Sequence, residues 1–156
     1  MRMQPTAGAI LLTTDQTIAG IYQPDTKTGR PIPLFSSGVA AGFPSPAEDY
    51  IERSLDLNEL MIANPAATYF IRVAGESMTG AGINHDDIVV VDRSVPPTSG
   101  RIVIAVINGE LTIKRLINNQ HTCALIAEHP DFPPVQIPED TELEIWGVVT
   151  YAIHKL

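Results

Sequence analysis

Three short stretches of this 156-residue chain carry residue types that could do chemistry together. Gly75-Glu76-Ser77-Met78 sets a serine between a β-rich run and the glycine-rich Gly80-Ala81-Gly82. A hydroxyl at such a turn, with free backbone N–H groups beside it, suits a nucleophile with an adjacent oxyanion site. On its own the tetrapeptide reads as a turn or capping serine. Lys114 lies inside Leu111-Thr112-Ile113-Lys114-Arg115-Leu116. Strand alternation puts Leu111, Ile113 and Arg115 on one face and Thr112, Lys114 and Leu116 on the other. Apolar neighbours would strip water from the amine; desolvation favours its neutral form, and a neutral amine accepts a proton from serine. On its own the residue reads as a solvated lysine on an edge strand. Gly38-Val39-Ala40-Ala41-Gly42 surrounds one bond, Ala41–Gly42, with small residues able to enter a narrow cleft in extended form. On its own it reads as a linker.

Other chemistries find less. His85, His121, His129 and His154 form no two-histidine helical pair suited to zinc. His85-Asp86-Asp87 reads as an acidic turn before a strand rather than a metal cluster. No phosphate-cradling glycine loop occurs, and Gly75-Glu76-Ser77-Met78 continues with Thr79 where a hydrolase elbow requires glycine. One cysteine, Cys123, excludes an internal disulfide and a multi-cysteine zinc site, and reads as a buried strand residue. Neither metal nor cofactor is expected. Glu76 and Asp92 read as hydrogen-bonding supports or turn caps, and Trp146 as core or interface packing.

These residues must be positioned by a fold, and the sequence points to a mostly-β one. Residues 68–73, 88–91, 102–107, 111–116, 123–126 and 143–149 read as short strands, and Asn108-Gly109 is a strong hairpin signal. Ser45-Pro46-Ala47-Glu48 has the form of a helix start that would bury Tyr50, Ile51 and Leu55, and Asp56-Leu57-Asn58-Glu59 repeats it. Ahead of these, Pro and Gly recur so often that residues 1–44 read as an extended, loosely held arm, in which Ile10-Leu11-Leu12 could pair as a strand. No apolar run approaches the ~20 residues of a membrane helix, and nothing resembles a secretory signal, so a cytoplasmic protein is expected. Ten basic residues against eighteen acidic give a net charge of −8. Residues 1–41 carry +1, so residues 42–156 carry −9. Such a surface repels phosphate backbones, which argues against direct duplex DNA binding and for protein partners.

Taken together, the three stretches resemble the LexA/UmuD family of self-cleaving serine–lysine peptidases, and most closely its UmuD-type members. The resemblance spans roughly residues 33–151. It runs through Ala41-Gly42-Phe43-Pro44, Gly75-Glu76-Ser77-Met78, Val91-Asp92, Ile102-Val103-Ile104-Ala105 and Trp146-Gly147-Val148-Val149. The Ala41–Gly42 bond lies 36 residues before Ser77, and Lys114 lies 37 after it, both fitting the UmuD-type pattern. The resemblance implies a twisted β-sheet fold with an extended N-terminal arm and one or two short helices. It implies a cleavable arm, residues 1–41, and a peptidase and polymerase-accessory domain, residues 42–156. Ser77 would be the nucleophile, Lys114 the general base, and the backbone N–H groups at Glu76 and Ser77 the oxyanion donors. Cleavage would be stimulated by the RecA–single-stranded DNA filament of the SOS response. The product would be a homodimer serving a UmuC-like, Y-family translesion polymerase (polymerase V) in mutagenic bypass.

The chain departs from that pattern in places. Asp86-Asp87 stands where the family has Gly-Asp, Arg101 where an acidic residue is usual, and Ala41 where UmuD-type members often have Cys. About seventeen additional residues precede the arm. A repressor's helix-turn-helix is not expected in residues 1–41, given their Pro and Gly. Two other readings are a catalytically silent binding module of the same shape and a signal-peptidase-like enzyme, the latter lacking a membrane segment.

Overall fold

The computed structural model of the chain describes residues 3–5, 13–14, 16–27, 29–35 and 51–156. The Ala41–Gly42 bond, the helix start at residues 45–48 and the strand expected at residues 10–12 lie outside them. The architecture is mostly β, as expected. The described residues form twelve strands: β1 (Met3–Pro5), β2 (Thr13–Thr14), β3 (Ile18–Pro24), β4 (Ile32–Phe35), β5 (Ile51–Leu55), β6 (Thr68–Val73), β7 (Ile88–Asp92), β8 (Ile102–Ile107), β9 (Glu110–Asn118), β10 (Cys123–Ile126), β11 (Val135–Gln136) and β12 (Leu143–Ile153). An α-helix, α1 (Leu57–Met61), lies between β5 and β6.

Ten strands form one sheet in the order β1-β3-β6-β7-β12-β8-β9-β10-β11, with β2 parallel to the start of β9. β4 and β5 make a separate antiparallel pair. Since β4 ends at Phe35 and β5 begins at Ile51, the expected cleavage site is in the chain that joins two paired strands.

Local chemistry explains most of these elements. Asn108 and Gly109 join β8 to β9 with φ of 48° and 83°. Positive φ at both central residues makes the turn whose twist matches the flanking strands, and Asn-Gly tolerates it best. Asp56 caps α1 by accepting from the Asn58 N–H at 2.8 Å. β12 is long because it serves two neighbours, pairing Leu143–Val148 with β8 and Val148–Ile153 with β7. Register shifts between Ile145 and Gly147 and between Val149 and Tyr151 let one strand follow both. Gly147 is required there: a Cβ would meet Val91 Cγ1 at 2.6 Å.

Strand alternation feeds three cores. Ile104 and Val106 of β8, Leu111 and Ile113 of β9, and Val89 and Val91 of β7 pack with Ile71, Met78, Ile83 and Trp146 on one face. Val103, Ala105, Leu116, Leu125 and Val148 pack on the other. Ile62, Phe70 and Val90 form a third group near α1.

Two expectations need correction. Residues 51–55 are strand rather than the second half of a helix, because β4 supplies backbone partners across the register Ile32↔Leu55 to Phe35↔Ile51. Cap-like residues upstream cannot outweigh a pairing partner about twenty residues away in sequence. Within the expected arm, residues 18–24 are not loosely held. They pair antiparallel with β6, and Ile18 joins the main core.

Candidate active site

The chain leaves β6 at Val73 and turns at Gly75, whose φ of +76° suits glycine. The Gly75 N–H donates to His85 Nδ1 at 3.0 Å. Glu76 is exposed, whereas Ser77 is only 4% exposed. Met78 anchors the turn from below, buried in the main core. A single 3₁₀ turn, Thr79–Ala81, follows, and Gly82 closes it at φ +77°. The Thr79 N–H and hydroxyl both donate to the Glu76 carbonyl, at 3.2 and 3.1 Å. The N–H groups of Glu76, Ser77 and Met78 donate to no acceptor among the described residues. N–H groups with no acceptor among the described residues, beside a serine, are the type of donor an oxyanion draws on.

The base of this loop is pinned to the turn before β7. Asp86 N–H donates to Val73 O, and Val73 N–H to Asp87 O, each at 2.9 Å. Asp86 has φ +67°, which fits the substitution of Asp for the expected Gly, since a short polar side chain tolerates this region. Asp87 is buried, accepts from the Asn84 N–H at 2.8 Å and lies 2.6 Å from His154 Nδ1. The acidic turn expected from His85-Asp86-Asp87 is therefore what forms.

Lys114 sits on β9, a strand paired on both sides, with β8 and β10. The β10 ladder stops at Arg115, so it is the burial of Lys114 rather than pairing on both sides that excludes a solvated lysine. Lys114 is 9% exposed and its cross-strand partner Val103 is fully buried. Its Nζ donates to Thr112 Oγ1 at 3.0 Å and to the Ile113 carbonyl at 3.1 Å. Thr112, two residues back on the same face, is itself 4% exposed. Arg115 points the other way, ion-paired with Glu128 and donating from Nη1 to Gly100 O at 2.6 Å.

The serine loop and the lysine strand meet through their neighbours. Met78, beside Ser77, and Ile113, beside Lys114, belong to one core cluster. The Gly80 N–H donates to Glu128 O at 2.7 Å, and the Glu128 carboxylate holds Arg115, beside Lys114. Of the supporting residues proposed from sequence, Asp92 caps its own turn by accepting from Ser94 N–H and Oγ. Trp146 is core, tilted against Tyr69 at 5.0 Å with the Arg93 guanidinium 4.6 Å above it. Cys123 is half-buried beside the second core. Thr112 was not singled out from sequence, although alternation already placed it on the face of Lys114. Glu128 carried no local signal at all. Among the described residues no group of three or more His, Cys, Asp or Glu is placed to hold a metal ion, and no helix is long and apolar enough to cross a membrane.

Comparison with known proteins bears on this arrangement. A profile of the family described as Peptidase S24-like matches residues 33–150. Protein ImpA of Salmonella typhimurium is 48% identical over 124 residues, covering 79% of this chain and 83% of that protein. Protein MucA of Escherichia coli is 45% identical over 123 residues, covering 78% and 84%. LexA repressor 1 of Pseudomonas syringae pv. tomato is 37% identical over 118 residues, covering 75% of this chain and 58% of the repressor.

Proposed function

The chain belongs to the S24-like peptidase family, and on that premise we propose that it cuts itself once, between Ala41 and Gly42. Ser77 Oγ attacks the Ala41 carbonyl carbon while Lys114 Nζ takes the serine proton. The oxyanion is met by the N–H groups at Glu76 and Ser77. Collapse breaks the Ala41–Gly42 bond, and the proton on Lys114 passes to the Gly42 amine. Water, activated by the again neutral Lys114, then releases residues 1–41 from Ser77. No metal or cofactor takes part. The substrate is part of the chain itself, so tethering supplies the effective concentration that a substrate pocket would otherwise provide.

One observation carries this reading. Ser77 and Lys114, two polar side chains that a bland turn and a bland strand would leave in water, are both buried, at 4% and 9% exposure. Burying an amine is costly unless it is hydrogen-bonded, as Lys114 is to Thr112 and Ile113, and withdrawal from water favours the proton-free form that a base requires. The matched family supplies the reaction class, and the spacing of Ala41, Ser77 and Lys114 supports the assignment of roles.

The wider role follows from the same resemblance. We assign the chain to the cytoplasm and to the SOS response, where the RecA–single-stranded DNA filament promotes cleavage. The remaining 115 residues (156 less 41) then act as a homodimer and accessory subunit of a UmuC-like polymerase. An acidic surface of −9 over residues 42–156 suits protein rather than duplex DNA contacts. Mass spectrometry of the purified chain at alkaline pH, and with activated RecA filament, tests the proposal. Loss of residues 1–41 by the wild type but not by Ser77→Ala is the expected result. An intact wild-type chain under both conditions refutes it.

A further inference from the structure

We propose that Glu128 is a positioning residue for self-cleavage, tying the loop that carries Ser77 to the strand that carries Lys114. The inference rests on the Ser77–Lys114 reading above and goes beyond it.

The β9–β10 ladder ends at the pair Ile126↔Arg115. Glu128 lies two residues past that end, where strand pairing no longer fixes the backbone. Its two ends make two different connections. The carboxylate pairs with Arg115, and both side chains are about 70% shielded from solvent, at 28% and 31% exposure. The carbonyl accepts the Gly80 N–H at 2.7 Å. Arg115 is held in turn by Gly100 O at 2.6 Å. A chain of contacts therefore runs from the strand beside Lys114, through one residue, to the 3₁₀ turn three residues past Ser77.

The fit at the loop end is tight. A Cβ on Gly80 would lie 2.6 Å from Glu128 O, so the turn is pressed directly against this carbonyl. A guanidinium–carboxylate pair is directional and resists sliding, unlike an apolar contact. Releasing it frees residue 128 to move, and with it the loop that the carbonyl holds. Glu128 touches neither reacting atom. Its effect is on the separation and alignment of the hydroxyl and the amine, where a displacement of about 1 Å costs up to ~100-fold in rate.

The test measures alkaline self-cleavage against pH in Glu128→Gln, Arg115→Gln and the double variant, with thermal unfolding on the same samples. The expected result is a plateau rate reduced by about ten- to a hundred-fold, with the pH of half-maximal rate unchanged. The double variant should be no slower than either single, and Glu128→Asp should recover part of the rate. Plateau rates within twofold of wild type in both single variants overturn the proposal. So does loss that is additive and tracks the melting temperature, or a displaced pH midpoint, which would mark an electrostatic role. If one variant does not fold, the other alone decides. Ser77→Ala, run alongside, separates the two levels: if it still cleaves, the reading of the site fails rather than the role of Glu128.

Discussion

Lys114 Nζ donates to the hydroxyl of Thr112 at 3.0 Å, a contact made within one strand and one face, between residues two apart. It gives the amine a fixed direction on a face whose other neighbours, Val103 and Leu116, are buried and apolar. An acceptor oxygen at that distance favours the charged amine, opposing the effect of burial. Together with the Ile113 carbonyl at 3.1 Å, the Thr112 hydroxyl helps to set where the amine points.

Replacing Thr112 with Val keeps the shape and removes the oxygen. The charged form loses an acceptor, so the amine sheds its proton at lower pH. Because the reaction needs the neutral form, the rise in cleavage with pH should begin earlier than in wild type. The plateau should fall by up to about tenfold as the amine loses its orientation. A pH profile displaced to higher pH would contradict this role for Thr112.

Lys114→Met separates chemistry from stability. Met has nearly the same length and suits a site that is 9% exposed. Cleavage should vanish, while the urea midpoint should hold or rise, since a buried amine is exchanged for an apolar chain. A loss of stability above about 1 kcal/mol would mark the lysine as structural instead.

Gly80→Ala probes the contact with Glu128 directly. A methyl placed 2.6 Å from a carbonyl oxygen forces the turn away. The expected cost is about 1–3 kcal/mol in denaturant unfolding, with slower cleavage. Wild-type stability and rate together would show that the turn yields freely.

Asp87 and His154 give a graded pair. Asp87→Ala leaves the partly buried Asn84 N–H and the half-exposed His154 ring without their buried acceptor, and should cost about 1–3 kcal/mol. His154→Ala, removing a side chain that is 47% exposed, should cost less than about 1 kcal/mol. Equal losses in urea titration would contradict the burial argument.

Much of the frame was legible because its signals are local. The strands Thr68–Val73, Ile102–Ile107 and Cys123–Ile126 form over the ranges their β-branched and apolar residues predict. Asn108-Gly109 forms the turn its backbone preferences dictate. The face of Lys114 followed from alternation. What stayed hidden depends on partners distant in sequence. Ile18–Pro24 contains Gly20 and Pro24, which argue against a strand, yet β6 pairs with Ile18–Tyr22 and β1 with Tyr22–Pro24. Ile51–Leu55 follows helix-start residues, yet β4 draws it into a hairpin. The Glu128–Arg115 pair joins residues thirteen apart through the β9–β10 hairpin, and no pattern of types announces it.

The position of β12 has a consequence in time. β6 and β7 form the side of the sheet that leads into the serine loop, β8 and β9 the side that bears the lysine, and β12 is the seam between them. Among the described strands it also comes after all the others in the chain. A nascent chain whose residues 143–153 are still inside the ribosome already holds both side chains, yet lacks the strand that pairs with both β7 and β8. Synthesis thus runs from the two halves to the ladder that unites them in one sheet.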